Sequence, residues 1–239
     1  MKNATHLLAT DLDGTLVGDR PGLDELLGFY KNQEYTVSLV YITGRHFQSA
    51  LSLIKEEKLP VPEILITDVG TEIHAGPEFI KDGEWEERMQ QHWHPEEIDR
   101  IAASFQALQK QQLPVTNRCS YYVEDLKTVE AFERQLLAAD IPHKLIYSGG
   151  RDLDILPAKS GKGAALEYIL DKFDARESKI LVAGDSGNDL EMLTLGLPSV
   201  IVGNAMPELL ESEEHPMIFR ASKVCAGGIQ EAWSHFHPN

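Results

Sequence analysis

Two aspartates two residues apart, Asp11 and Asp13, follow an apolar run at residues 7–9. In a strand that continued through them, both side chains would point the same way. Their carboxylates would then repel each other unless a cation lay between them. One carboxylate could attack an electrophile while the other moves protons, as in other paired acids. An Asp-x-Asp pair alone fits a turn with solvated acids equally well, so other residues must decide.

A second acidic segment, residues 184–189, contains Asp185, Asn188 and Asp189 and also follows an apolar run, at residues 180–183. In a parallel sheet this segment would bring further carboxylates to the edge where Asp11 lies. Carboxylate oxygens are hard ligands that suit Mg²⁺, which prefers one or two carboxylates together with water and substrate oxygens. The alternative is a helix N-cap whose acids are favoured by the helix dipole.

A hydroxyl and a cation complete the set. Thr43 offers a hydroxyl, Gly44 offers an unobstructed backbone N–H at a helix start, and Lys162 offers a compact positive charge. Each alone also fits an ordinary turn or a solvated helix start. Together with the acids, they occupy four segments at predicted strand ends or helix starts, where ligands bind in open α/β sheets. The combination is suited to phosphoryl transfer.

Alternating strand and helix patterns must position these residues. Apolar runs predict strands at residues 5–10, 37–42, 64–66 and 179–183, with helices between them, which indicates a doubly wound, Rossmann-like parallel sheet. The alternation breaks near residue 78 and resumes near residue 160. The intervening part predicts an α+β insertion that includes a helix at about 95–111. We therefore predict a core at 1–78 and 158–239 and an inserted domain at 79–157.

Composition excludes several classes of protein. The 239-residue chain has 22 basic and 38 acidic side chains, a net charge of −16, which disfavours nucleic acid and anionic membranes as partners. No stretch approaches 18 consecutive apolar residues, and residues 1–6 contain no apolar leader. The two cysteines have no metal-like spacing, so free thiols are expected. We expect a cytoplasmic monomer.

The chain resembles the haloacid dehalogenase superfamily. Its segments at 11–16, 43–45, 162 and 184–189 are similar to the four motifs of that superfamily, and the insertion resembles the α/β cap of the sugar-phosphatase branch. Finer features resemble sucrose-phosphate phosphatases and their close relatives, namely the segments at 11–19, 69–73, 148–157 and 203–209. The likeness covers essentially the whole chain.

The resemblance implies a magnesium-dependent phosphatase that hydrolyses a sugar phosphate through an aspartyl-phosphate intermediate. Sucrose 6-phosphate or a related disaccharide phosphate is the expected substrate. Asp11 would be the nucleophile and Asp13 the general acid and base. The implied magnesium ligands are Asp11, Asp13 (through its backbone carbonyl), Asp185 and Asp189. The implied phosphate-binding residues are Thr43, Gly44, Lys162 and Asn188, with Asn188 and Asp189 close to the metal or orienting Lys162.

The predicted cap would recognise the sugar. The candidate sugar-binding residues are Arg45, Asn117, Arg118, Gly150, Arg151 and Asp152, each of which also fits a surface or core position. The glycine-rich loop at 148–150 suggests a backbone that approaches a ligand closely.

Two other functions remain open. A hexose phosphomutase, similar to phosphomannomutase, would share all four motifs and would need several cap arginines to hold a bisphosphate. Five arginines are present at 79–157, a number that neither supports nor excludes a phosphomutase. A non-catalytic module that binds a sugar-phosphate-synthesising glycosyltransferase would be expected to have lost an aspartate or the lysine, and none is lost. Association of an active enzyme with such a glycosyltransferase is a separate expectation.

Overall fold

The computed structural model describes residues 5–238, which form two β-sheets and the helices that cover them. The strands are β1 (His6–Thr10), β2 (Val37–Ile42), β3 (Ile64–Thr67), β4 (Glu72–Ala75), β5 (Ile80–Lys81), β6 (Gln109–Lys110), β7 (Cys119–Tyr122), β8 (His143–Ser148), β9 (Asp152–Pro157), β10 (Lys179–Gly184), β11 (Ser199–Ile201) and β12 (Ile218–Arg220). The helices are α1 (Arg20–Lys31), α2 (Phe47–Glu56), α3 (Gly83–Gln90), α4 (Pro95–Ala102), α5 (Leu126–Ala138), α6 (Lys162–Lys172), α7 (Leu190–Leu193), α8 (Pro207–Leu210) and α9 (Cys225–Phe236). Short 3-10 turns occur at Asp68–Gly70 and Gly187–Asp189.

The larger sheet has the strand order β12-β11-β10-β1-β2-β3-β4-β5. Strand β1 lies between β2 and β10 and pairs in parallel with both, so that Thr10 stands opposite Tyr41 and Ala183. The chain runs outward from β1 to β3 and later returns on the other side at β10. Ligands bind at such a reversal of strand order, beyond the carboxyl ends of the strands. The predicted parallel sheet is confirmed, with an antiparallel β4–β5 hairpin added at one edge.

Apolar side chains on both faces explain why the strands of this sheet are almost continuously hydrophobic. Leu7 and Ala9 face the layer that contains α3, α6 and α7, whereas Leu8 faces the layer that contains α1, α2 and α9. Within residues 5–238, every helix is too short or too polar to span a bilayer. Cys119 and Cys225 are buried free thiols, as expected.

The smaller sheet is antiparallel, with the order β6-β7-β9-β8. Helices α4 and α5 cover one face through Ile98 and Phe132. The opposite face is polar where Ser120 stands beside Asp154, and the hydroxyl of Ser120 donates to that carboxylate. This polar face is directed toward the carboxyl end of β2, because Ser148, Asp154 and Gly44 line one cavity.

One sequence prediction in the insertion needs correction. The predicted helix at 95–111 ends at Ala102, because residues 109–110 pair with β7 as an edge strand instead. Residues 80–90 belong with the larger sheet: β5 is its edge strand, and Trp85 and Met89 of α3 lie in its core. The division into domains at 1–78 with 158–239 and at 79–157 stays a prediction.

Candidate active site

The carboxyl ends of three adjacent parallel strands carry the predicted catalytic residues. Asp11 follows β1, Thr43 follows β2 and Asp185 follows β10. The N–H of Asp11 donates to the carbonyl of Ala183 at 3.0 Å, so Asp11 continues the pairing beyond the end of its strand. Strand pairing therefore brings together side chains that are as many as 174 positions apart in the sequence.

Lys162, the first residue of α6, joins two of the acids. Its Nζ donates to Oδ1 of Asp11 at 2.7 Å and to Oδ1 of Asp189 at 2.6 Å, and the lysine is only 1% exposed. Burial lowers the pKa of Lys162, but the two carboxylates raise it by more, so the net shift is upward. The lysine therefore stays charged beside Asp11, where a phosphoryl group would carry negative charge.

Asp11, Asp185 and Asp189 form an acidic cluster in which one carboxylate oxygen of each lies within 4.8 Å of the others. Burial raises the pKa of Asp11 well above its usual range against the opposing charge of Lys162. Burial, followed by repulsion from Asp189, raises the pKa of Asp185 to about 6. Crowded, buried hard-oxygen donors are the set that a divalent cation neutralises, so these residues fit Mg²⁺.

Asp189 is more constrained than the other two acids. Its Oδ2 accepts from the N–H groups of Asp185 and Ser186 at 2.9 and 3.1 Å, while its Oδ1 accepts from Lys162. Asp185 accepts from the hydroxyl of Thr15 at 2.9 Å. Asp189 therefore holds the 185–189 loop and orients Lys162, which is one of the two roles that the resemblance implies.

Asp13 lies outside this cluster. Its side chain is 49% exposed and forms a two-pronged ion pair with Arg45, from Nε to Oδ2 at 2.6 Å and from Nη2 to Oδ1 at 2.8 Å. Arg45, which the sequence predicts as a sugar-binding residue, thus binds the predicted general acid, and its contact with a sugar stays a prediction. The Asp13 carboxylate therefore lies at the exposed edge of the site.

Thr43 and Gly44 offer donors to an anion. Thr43 is buried, and its Oγ1 accepts from the N–H of Arg45 at 3.1 Å. The N–H of Gly44 makes no hydrogen bond to any other residue in the described range 5–238. Asn188 lies nearby, since its Nδ2 would be 3.9 Å from a Cβ built on Gly44.

A cavity of about 390 Å³ opens between the two sheets beside this loop. Gly44, Arg45 and Asn188 line it from the larger sheet. Its other polar lining includes His46, Ser49, Gln111, Ser148, Asp152 and Asp154. His46, Ser49, Gln111 and Asp154 were not identified from the sequence, because polar residues in loops and on strands carry no spacing that marks a ligand.

The structure separates the predicted sugar-binding residues. Asp152 lines this cavity and accepts a hydrogen bond from Gln111 at 3.2 Å. Arg118 lines this cavity too, and it also borders a second cavity, of about 740 Å³, beside α3 and α4, on which Asn117 lies. Arg151 lies over the ring of Tyr122 at 4.3 Å, on a third cavity.

Gly150 has a backbone conformation that favours glycine. Its φ is +63°, and a Cβ there would meet no atom of the described residues within 4 Å. The turn between β8 and β9 therefore favours glycine for its backbone conformation, and the close approach of this loop to a ligand stays a prediction.

Comparison with known proteins adds independent information. The family model of sucrose-6F-phosphate phosphohydrolase matches residues 4–237. The sucrose-phosphatase of Synechocystis sp., solved in complex with sucrose and phosphate, has a similar structure, with a TM-score of 0.90, 35% identity and 98% of each chain covered. A mannosylfructose-phosphate phosphatase from Agrobacterium fabrum is 33% identical, with 98% of both chains covered.

Other relatives are longer than this chain. A glucosylglycerol-phosphate synthase from Pseudomonas anguilliseptica is 33% identical over 96% of this chain but over only 30% of its own length. The chain spans 59% to 60% of the length of several further curated relatives.

Proposed function

The chain belongs to the sucrose-6F-phosphate phosphohydrolase family, and from that premise we propose that it hydrolyses a disaccharide phosphate, with sucrose 6-phosphate as its substrate. The match confirms the resemblance to the sugar-phosphatase branch of the haloacid dehalogenase superfamily. One observation supports the proposal most strongly: Asp11 lies at the switch point of the sheet, paired with buried Lys162 and within 4.8 Å of two further acids.

Asp11 would attack the phosphorus atom and form an aspartyl phosphate. The N–H of Gly44, the hydroxyl of Thr43 and the ammonium of Lys162 would receive the phosphoryl oxygens, which stabilises charge that develops in the transition state. Asp11, Asp185 and the backbone carbonyl of Asp13 would hold Mg²⁺, with Asp189 beside them bound to Lys162. The ion would supply positive charge for the phosphoryl oxygens.

Asp13 would move the protons. Its carboxylic acid form would protonate the departing sugar oxygen, and the resulting carboxylate would then take a proton from the water that cleaves the aspartyl phosphate. The pair with Arg45 orients the carboxyl group and restricts its rotation. We propose that this pair loosens when a leaving group occupies the edge of the site.

The size and polar lining of the cavity between the sheets favour a small polar substrate rather than a macromolecule. Its volume is within the range of ordinary ligand pockets, and polar groups line it from both sides. We propose Asp152 and Gln111 as groups that bind sugar hydroxyls, because both line the cavity beside Gly44. Cytoplasmic location, a monomeric state and association with a sugar-phosphate-synthesising glycosyltransferase stay predictions.

Hydrolysis is favoured over the phosphomutase alternative. Among the described residues at 79–157, Arg118 is the one arginine that lines this cavity. The other four arginines are engaged elsewhere, either with Glu84, Glu97 or Glu130 or over the ring of Tyr122. A bisphosphate would need a second cluster of cations opposite the first, and among the described residues at 79–157 Arg118 is the one cation that lines the cavity.

A phosphate-release assay tests the proposal. Sucrose 6-phosphate, mannosylfructose phosphate and glucosylglycerol phosphate should be compared with magnesium supplied, and the highest kcat/KM is expected for sucrose 6-phosphate. Asp11→Asn provides the inactive control. Release of no phosphate from any sugar phosphate would contradict the proposal, and conversion of a hexose 1-phosphate into its 6-phosphate would support the phosphomutase instead.

A further inference from the structure

The turn Asp68–Gly70 holds two residues in an unfavourable backbone conformation. Asp68 and Val69 have φ values of +54° and +57°, although both carry side chains and Val69 is β-branched. The left-handed region is unfavourable for residues with side chains, and such strain persists only where the surroundings enforce it. Both residues are buried. The mechanism above assigns no role to this turn.

The turn contacts both loops that are expected to bind phosphate. The N–H of Asp68 donates to the carbonyl of Arg45 at 2.9 Å, and the N–H of Val69 donates to the carbonyl of Thr43 at 3.1 Å. On its other side, a Cβ at Gly70 would lie 2.3 Å from the carbonyl carbon of Gly161 and 2.7 Å from the nitrogen of Lys162. The turn therefore packs between the loop at 43–45 and the start of α6.

Arg118 binds the remaining carbonyl of that loop. Its Nη1 donates to the carbonyl of Gly44 at 2.8 Å, and its Nη2 lies 3.2 Å from Oδ1 of Asp68. The side chains of both Arg118 and Asp68 are almost completely buried. All three carbonyls of residues 43–45 thus accept a hydrogen bond, whereas the N–H of Gly44 donates to no group among residues 5–238 and can bind an anion.

The contact of Arg118 also acts on Thr43. A cation at the carbonyl of Gly44 polarises the peptide group that this carbonyl shares with the N–H of Arg45. That N–H donates to Oγ1 of Thr43, which occupies one acceptor site of the hydroxyl. Because this bond uses a lone pair of the hydroxyl and not its proton, the Thr43 hydroxyl can still donate to an anion.

We propose that Arg118 and Asp68 are positioning residues that hold the loop at 43–45 as a preformed anion site, without touching the anion themselves. Arg118 immediately precedes β7 of the smaller sheet, whereas Asp68 follows β3 of the larger one. The anion site is therefore complete only when the smaller sheet lies against the larger one. The identification of the anion as a phosphoryl group rests on the proposed function.

The first test is the binding of inorganic phosphate, measured by calorimetry with magnesium present. Arg118→Met should weaken binding about tenfold or more, as expected when a charged hydrogen bond that holds a site is lost. Arg134→Met is the matched control, because Arg134 lies exposed on α5 and pairs only with Glu130 at 3.9 Å. Unchanged phosphate affinity in Arg118→Met, or no phosphate binding by the wild-type protein, would overturn the inference.

A double-mutant cycle separates positioning from a general structural effect. If Arg118 acts through the hydroxyl of Thr43, Arg118→Met should weaken phosphate binding clearly less in a Thr43→Val background than in the wild type. Fully additive losses of phosphate affinity would show that Arg118 does not act through the hydroxyl of Thr43. If Arg118→Met does not fold, two other variants test the inference. Asp68→Asn with Arg118→Met removes both charges of this pair and leaves Asp154, which lies 3.9 Å from Arg118. Arg118→Lys keeps a cation that cannot bind Gly44 and Asp68 together, and each variant should still weaken phosphate binding.

The two proposals can fail separately. If the wild-type protein binds phosphate but hydrolyses no sugar phosphate, the proposed function is wrong. The phosphate affinities of the variants would still decide the role of Arg118. Active wild-type protein whose Arg118→Met variant binds phosphate normally would remove this inference alone.

Discussion

Replacing Lys162 by methionine should destabilise the protein far more than replacing an ordinary surface lysine. The change leaves Asp11 and Asp189, whose side chains are 7% and 0% exposed, without their shared cation. Removing one partner of a buried ion pair costs about 3–5 kcal/mol, because a buried charge remains uncompensated. Lys172 pairs with Asp82 at 2.6 Å but is 34% exposed, so Lys172→Met should cost about 1 kcal/mol or less.

Urea unfolding with a chelator present measures both losses. Adding magnesium should recover part of the stability of Lys162→Met, since a cation at Asp11 and Asp185 would neutralise the same cluster. Asp189→Asn added to Lys162→Met should also recover part of it, because one of the two uncompensated carboxylates is removed. A loss in Lys162→Met no larger than that in Lys172→Met would refute the reasoning that Lys162 compensates buried charge.

Three further predictions concern the chemistry. Asp11→Asn should retain the fold, by circular dichroism, but release no phosphate, because an amide cannot form an acyl phosphate; near-normal turnover would exclude Asp11 as nucleophile. Asp152→Ala should lower kcat/KM for the best sugar phosphate roughly tenfold, about 1.4 kcal/mol, and leave p-nitrophenyl phosphate hydrolysis unchanged, whereas Arg151→Ala should affect neither. Equal losses on both substrates in Asp152→Ala would count against sugar recognition. Without a cation, the pKa of Asp185 is raised to about 6, so the folded protein binds a proton there more tightly than the unfolded chain does. Protonated Asp185 therefore stabilises the fold at pH values below the ordinary pKa of aspartate, and this stabilisation is lost as pH rises through 6. Because magnesium competes with that proton, the rise in Tm on adding magnesium should be larger near pH 7.5 than near pH 5, and a pH-independent rise would contradict this.

The main site could be predicted because its residues follow strands whose apolar runs are easy to recognise. Residues 7–9 and 180–183 are apolar in the sequence, and strands buried on both faces must be. Parallel pairing then requires that Asp11 and Asp185 meet at one edge, whatever the length of chain between them. Lys162, predicted from the sequence to bind phosphate, lies in the same place, since its ammonium contacts Asp11; its role stays a prediction.

The insertion was harder to interpret. A helix to residue 111 and an edge strand at 109–110 both fit the local sequence, and the pairing partner in β7 decided between them. Likewise, residues 80–90 contain too short an apolar pattern to indicate which sheet they join. Burial of Trp85 and Met89 against the larger sheet decided that.

The sequence by itself determined which chemical groups stand at the carboxyl ends of the strands, because strand periodicity and parallel pairing depend on local apolar pattern. Only the tertiary structure decided which group each arginine contacts. Arg45 reaches Asp13, Arg118 reaches the carbonyl of Gly44, and Arg151 lies over Tyr122. The physical reason is that a long, flexible cation carries no periodic signal, and its partner depends on how two sheets, distant in sequence, pack against each other.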